Sequence, residues 1–123
     1  MPVPILKQSS SLIAKIQSAL SDVDLIELRD RLARLVGRHR ARGVIIDVTA
    51  LDVLDSFATC TLRGIAYMTK LRGAETVIVG IQPDVALAMD RLGSTLEDVP
   101  TALDLEEGLT FLNQRLESSH GNE

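Results

Sequence analysis

Val44-Ile45-Ile46-Asp47-Val48 is a nearly unbroken run of β-branched apolar residues. A strand with one wet face alternates apolar and polar side chains, whereas a run of this kind needs cover on both faces. Thr76-Val77-Ile78-Val79-Gly80-Ile81 repeats the pattern. Between and around the two runs lie segments with helical spacing. Leu25, Leu28, Leu32, Leu35 and Val36 share one side of a helix over Asp24 to Arg42, and Ala58, Leu62, Ile65 and Thr69 share one side of a helix over Ser56 to Leu71. Strands buried on both faces and separated by amphipathic helices predict an α/β domain with a mostly parallel sheet and helical crossovers.

The flanks complete the order. Ile5-Leu6 and Leu12 to Ile16 read as two short strands joined by Gln8-Ser9-Ser10-Ser11, an N-terminal antiparallel hairpin. Asp24 is the expected N-cap of the first helix, with Glu27 closing a capping box, and Gly43 its stop. Pro83 opens a third helix with Val85, Ala88, Met89 and Leu92 on its face and Gly93 as its end. Val99 to Ala102 is an edge strand broken by Pro100. Asp104 caps a last helix with face Leu105, Leu109, Leu112 and Leu116. The core is expected around Val44, Ile46, Val77, Val79, Leu28, Leu32, Ile65 and Leu112. The chain has 123 residues, which suits one domain, taken as residues 1–117 with a flexible polar tail at 118–123.

Several function classes are disfavoured. Only Phe57, Tyr67 and Phe111 are aromatic, and the net charge is -4. That speaks against base stacking and against phosphate neutralisation, so no nucleic-acid partner is expected. No apolar run approaches the roughly 20 residues of a membrane helix, so no membrane is expected either. The start, MPVPILKQ, lacks the pattern of a secretory signal. Cys60 is the single cysteine; it suits a reducing cytoplasm and reads as a small buried or half-buried residue. His39 lies in a basic run and His120 in the tail, both surface positions. No G-x-G-x-x-G or Walker glycine loop is present, and no cofactor is expected.

The segment that carries chemistry follows the first buried strand. Val48-Thr49-Ala50-Leu51-Asp52-Val53-Leu54 connects it to Asp55-Ser56, which opens the next helix. In an open α/β sheet this is the edge where ligands bind. Asp47, Asp52 and Asp55 cluster there and could suggest a Mg²⁺ site. Two adjacent carboxylates near the first strand and a lysine after a later one are missing, so turn-forming and capping are the better use for these acids. Ser56 has two readings. Its hydroxyl can cap backbone N–H groups, or it can accept a phosphate, which a helix start tolerates and which adds about −1.5 to −2 charges beside Asp52 and Asp55.

The ordered set resembles the STAS-domain family. Val44-Ile45-Ile46-Asp47-Val48-Thr49 followed by Val53-Leu54-Asp55-Ser56-Phe57 resembles its signature. Pro4-Ile5-Leu6-Lys7, Gly80-Ile81-Gln82-Pro83 and Thr101-Ala102-Leu103-Asp104-Leu105-Glu106 resemble its stressosome scaffold branch. Free anti-sigma-factor antagonists usually follow the Asp-Ser pair with a small residue and Gly-Leu-Gly, whereas Phe57-Ala58-Thr59-Cys60 stands here.

The resemblance implies a mixed, mostly parallel sheet with about four helices in a β-α superhelix. It implies a non-enzyme that joins a large hetero-oligomer with a sensor paralogue bearing a related C-terminal domain. It further implies a serine/threonine switch kinase that is held by the assembly, modifies Ser56 and is then released, and a phosphatase that resets the site. Asp52, Asp55, Phe57 and Thr59 are the supporting residues of the switch loop. Thr59 is the nearest competing acceptor, with Ser94 and Thr95 remote ones. The alternatives are a free anti-sigma-factor antagonist that binds an anti-sigma kinase, and a small metal-dependent enzyme. Val3, Phe57 and Tyr67 are expected on an exposed docking surface.

Overall fold

The computed structural model describes residues 3–93 and 96–121, with side chains to residue 117. Ser94, Thr95, Asn122, Glu123 and the side chain of His120 lie outside the described residues. The elements run β1 (Ile5–Gln8), β2 (Ser11–Lys15), α1 (Asp22–His39), β3 (Gly43–Asp47), α2 (Ser56–Leu71), β4 (Glu75–Val79), α3 (Pro83–Arg91), β5 (Thr101–Ala102) and α4 (Leu105–Gly121). One five-stranded sheet has the order β1-β2-β3-β4-β5. β1 and β2 form the antiparallel hairpin, and every later pair is parallel.

The period of two along each strand sends alternate residues to opposite faces. Leu12, Ala14, Val44, Ile46 and Ile78 join the cluster that also holds Leu25, Leu28 and Leu32 of α1, Leu62 and Ile65 of α2, and Val85 and Met89 of α3. Ile13, Ile45, Val77 and Val79 face the other way and meet Leu112 of α4. The sheet is thus covered on both sides, as the unbroken apolar runs require. All eight residues expected in the core are buried.

Several boundaries differ from the expectation for identifiable reasons. Ser21, not Asp24, caps α1: its hydroxyl accepts from the Asp24 N–H at 3.1 Å, and the Asp24 carboxylate accepts from the Ser21 N–H at 3.3 Å. The capping box is therefore Ser21 with Asp24, three residues upstream of the pair expected. Arg40, with φ 49°, supplies the left-handed cap that ends α1. Gly43 instead starts β3, where a Cβ would come within 2.8 Å of both Leu112 Cδ1 and Ser11 Oγ. Gly108, inside α4, likewise serves packing, because a Cβ there would lie 2.7 Å from Val79 Cγ1. The helical backbone of α4 continues through 118–121, inside the stretch assigned to the tail.

Side-chain placement also brings corrections. Val3 is buried, not exposed, and its carbonyl accepts from Arg31 Nη1 at 2.7 Å. Cys60 is exposed, because the inward line of α2 is made by Ala58, Thr59, Leu62, Ile65 and Thr69. On α3, Val85 and Met89 are buried while Leu92 is 70% exposed.

Candidate functional site at the start of helix α2

β3 ends in the middle of the sheet, and the chain leaves it through a connection that hydrogen bonds hold tightly. Asp47 Oδ1 accepts from the Thr49 N–H at 2.9 Å and from the Thr49 hydroxyl at 2.6 Å. The Val48 N–H donates to the Val79 carbonyl at 3.0 Å, which extends the β3–β4 ladder by one step. From the next crossover, Gln82 Nε2 donates to the Thr49 carbonyl at 2.8 Å. Gly80 has φ 81°, and a Cβ there would collide with the Thr49 hydroxyl. Only glycine meets both demands at that place.

Beyond this anchor the loop turns over. The Leu51 N–H donates to the Val48 carbonyl at 3.0 Å. Leu51 and Leu54 are buried, whereas Val53 is 71% exposed. Leu51 and Leu54 join Ile16, Leu20, Leu25, Ala58 and Leu62 around a small apolar cavity of about 100 Å³. The loop is thus pinned by its apolar residues on one side and by Asp47, Thr49 and Gln82 on the other, with Asp52 and Val53 at its exposed tip.

Asp55 is the N-cap of α2, its carboxylate accepting from the Ala58 N–H at 2.8 Å. Ser56 is therefore the first helical residue and is exposed. α2 has no acidic residue in its first turn. An anionic group on Ser56 would stand at the positive end of a 16-residue helix. Phe57, 39% exposed, stands beside it.

The three acids of this region have separate duties. Asp47 holds Thr49, Asp55 caps α2, and Asp52 lies exposed at the loop tip. Among the described residues no group of three or more His, Cys, Asp or Glu is positioned to hold a metal ion. Thr59 departs from its expected role: it is 2% exposed, so its hydroxyl is closed to an external enzyme. That hydroxyl has no hydrogen-bond partner. Sequence patterning alone misses Thr49, Gly80 and Gln82 as anchors of this site, because nothing in the local pattern pairs Gly80 and Gln82 with Thr49 across the sheet.

The STAS-domain family model matches residues 3–108. The chain belongs to the STAS-domain family. A serine-to-glutamate variant of RsbS from Moorella thermoacetica is 32% identical, with a TM-score of 0.81 over 94% of this chain and 97% of that one. A chain from the molecular architecture of the stressosome, a signal integration and transduction hub, is 31% identical, with a TM-score of 0.75 over 92% of this chain and 98% of that one. The RsbT co-antagonist protein RsbRA of Bacillus subtilis strain 168 is 29% identical over 82 residues, 67% of this chain and 30% of that protein. This STAS domain thus spans about a third of the length of the curated relatives it matches. The unphosphorylated anti-sigma-factor antagonist SpoIIAA shares the fold, with a TM-score of 0.66 at 11% identity. The mixed sheet and four helices described above are those of the STAS fold.

Proposed function

We propose that this STAS domain is a non-catalytic scaffold and phosphorylation switch of a stressosome-type signalling complex in the bacterial cytoplasm. It co-assembles with a sensor paralogue carrying a related STAS domain and holds a serine/threonine switch kinase. Phosphorylation of Ser56 releases that kinase, and a phosphatase resets the site. The functional unit is the single domain of residues 1–117.

The observation that carries the reading is the setting of Ser56. It is exposed, it is the first residue of α2, and its neighbour Asp55 already supplies the cap hydrogen bond. Modification there adds charge to the surface without removing that cap. The helix start accepts the phosphate, so the fold persists while a partner docked on Asp52, Val53 and Phe57 meets repulsion and lost fit. The likeness to RsbS over nearly the whole chain supports the same reading.

The test joins assembly and modification. Size-exclusion chromatography of the chain with a sensor relative should give a very large mixed complex that retains the kinase. Adding ATP should label Ser56, mapped by mass spectrometry, and release the kinase. Ser56→Ala should abolish the label and keep the kinase bound, with the melting temperature confirming a folded variant. A label wholly on another residue, or normal release from Ser56→Ala, would refute the switch. A monomer or dimer that captures an anti-sigma factor would assign the chain to the free antagonists instead.

A further inference from the structure

The parallel crossovers sort the charges of this domain. Each helix starts beyond the C-terminal end of one strand and returns to the N-terminal end of the next. Acids occupy the starts: Asp22 and Asp24 on α1, Asp55 before α2, Asp84 on α3, and Glu106 and Glu107 on α4. The other end, where β3 and β4 begin, is basic. Arg38, His39, Arg40 and Arg42 crowd the passage from α1 to β3, and Lys70 and Arg72 close α2.

The fold joins the two groups. Arg72 Nη1 lies 3.2 Å from where a Cβ on Gly37 would stand, so the end of α2 leans on α1. The Arg42 carbonyl accepts from the Glu75 N–H at 3.0 Å, and the Arg42 N–H donates to the Ser10 carbonyl at 2.8 Å, which fixes that residue between β4 and the hairpin turn. All six basic residues are exposed. Glu75 starts β4 at this end and Glu117 stands on α4 across the sheet, yet among the described residues no carboxylate oxygen comes within 4 Å of any of the six. Helix dipoles account for part of the arrangement, since two C-terminal ends together carry about one negative charge. Four arginines and lysines would still be left over from Arg38, Arg40, Arg42, Lys70 and Arg72, in a chain whose net charge is -4.

We infer that this basic end is a docking surface for an acidic segment of a partner protein, a flexible stretch rich in aspartate and glutamate. Arginine predominates there, and its planar fork takes a carboxylate through two parallel hydrogen bonds. Shape decides against broader polyanions. Gly108 faces Val79 at the end of β4 and Leu112 faces Gly43 at the start of β3, so α4 descends toward this end. It then runs on from Leu112 to Gly121, about 14 Å further. A flat anionic membrane meets that projection before it meets the arginines. A nucleic-acid duplex draws its affinity from many phosphate contacts, and the negative remainder of the chain opposes it beyond the patch. A narrow polypeptide avoids both obstacles. The surface lies at the end opposite Ser56, so the inference does not depend on modification of that residue.

Fluorescence anisotropy of the full chain with a labelled peptide of about 12 alternating aspartates and glutamates is the test. At an ionic strength of about 0.02 M, binding in the micromolar range is expected, falling at least about tenfold at about 0.2 M because exposed charges are screened. The matching peptide of asparagine and glutamine should not bind. Arg38→Gln, Arg42→Gln and Arg72→Gln together should weaken the acidic peptide by about tenfold or more. Lys15→Gln, Arg29→Gln and Arg63→Gln together remove the same charge elsewhere and should change its affinity by less than about twofold. Melting temperatures confirm that both variants fold; Arg42→Gln alone, expected to weaken binding about threefold, decides if the first triple variant does not. An acidic peptide that fails to bind at low salt, or equal losses in the two triple variants, overturns the inference. Tighter binding of phosphatidylglycerol vesicles or duplex DNA, abolished by the changes at Arg38, Arg42 and Arg72, assigns the surface to a membrane or a nucleic acid and equally overturns it.

Discussion

The two faces of the sheet are built from alternate residues of the same strands, yet they are covered very differently. Under α1, α2 and α3 the cluster is wide and reaches the N-terminal Val3, the loop residues Leu51 and Leu54, and Val99 before β5. Under α4, among the described residues, the buried cluster is Ile13, Ile45, Val77, Val79 and Leu112, with Ala102, Leu105, Leu109 and Phe111 half-covered around them. The broad face spreads the grip on α2 over Ala58, Leu62 and Ile65 and adds the buried Thr69–Thr76 hydroxyl contact at 2.6 Å. The narrow face depends on one helix, drawn close where Gly43 and Gly108 remove side chains. The candidate switch sits on the redundantly held side. A change of charge at Ser56 can therefore alter the surface while the helix beneath it stays in place.

The most severe way to break this comparison is Ile46→Asp, which buries a carboxylate in the broad core at a position with no exposure. Destabilisation above about 4–5 kcal/mol is expected, enough to unfold a domain of ordinary stability. Loss of the cooperative thermal transition in circular dichroism is the readout, and an unchanged melt would contradict the burial of β3.

Leu62→Ala and Leu112→Ala compare the faces directly. Each side chain is essentially fully buried, and each truncation should cost about 2–5 kcal/mol. Their local consequences should differ. Leu112→Ala should raise amide exchange in α4 well before that in β3, because no second helix holds that face. Leu62→Ala should lower protection across α1, α2 and the sheet together. Equal, global loss of protection in both variants would remove the distinction.

Gly80→Ala probes the anchor between the switch loop and β4. The positive φ and the collision with Thr49 should cost about 1–3 kcal/mol. They should also shift the amide resonances of Thr49 to Asp55 more than those of α4. A neutral change would mean that the loop is not held through Thr49.

The smallest effect separates cap from acceptor. Asp55→Ala removes the hydrogen bond to the Ala58 N–H and should cost about 1 kcal/mol. Ser56→Ala should cost less, because that cap bond belongs to Asp55. Chemical denaturation of both variants measures the order. The reverse order would give the cap to Ser56 and make the switch residue structural.

Sequence patterning carried the α/β class, the hairpin, the succession of strands and helices along the chain and the buried faces of α1 and α2. It did so because periods of 2 and 3.6 report directly on which side of an element is dry. The Asp55-Ser56 start of α2 was legible too, as capping chemistry is local. Local rules failed where two candidates lay close together. Ser21 and Asp24 are both capping residues, and the box formed where two reciprocal bonds could be made. Arg40 took the left-handed turn, and Gly43 was used for packing three residues later.

What only the tertiary structure decided involves residues far apart in the chain. Whether Cys60 or Thr59 turns inward depends on how α2 is rotated against α1 and β4, and adjacent helix positions differ by too little for composition to choose. Thr49, Gly80 and Gln82 meet because two parallel crossovers end side by side, which no local pattern encodes. Gly64 and Gly108 are alike in sequence, each a single glycine inside a helix. Only the fold shows that Val79 fills the space beside one and that the other opens onto solvent, since a missing side chain has meaning only through what approaches it.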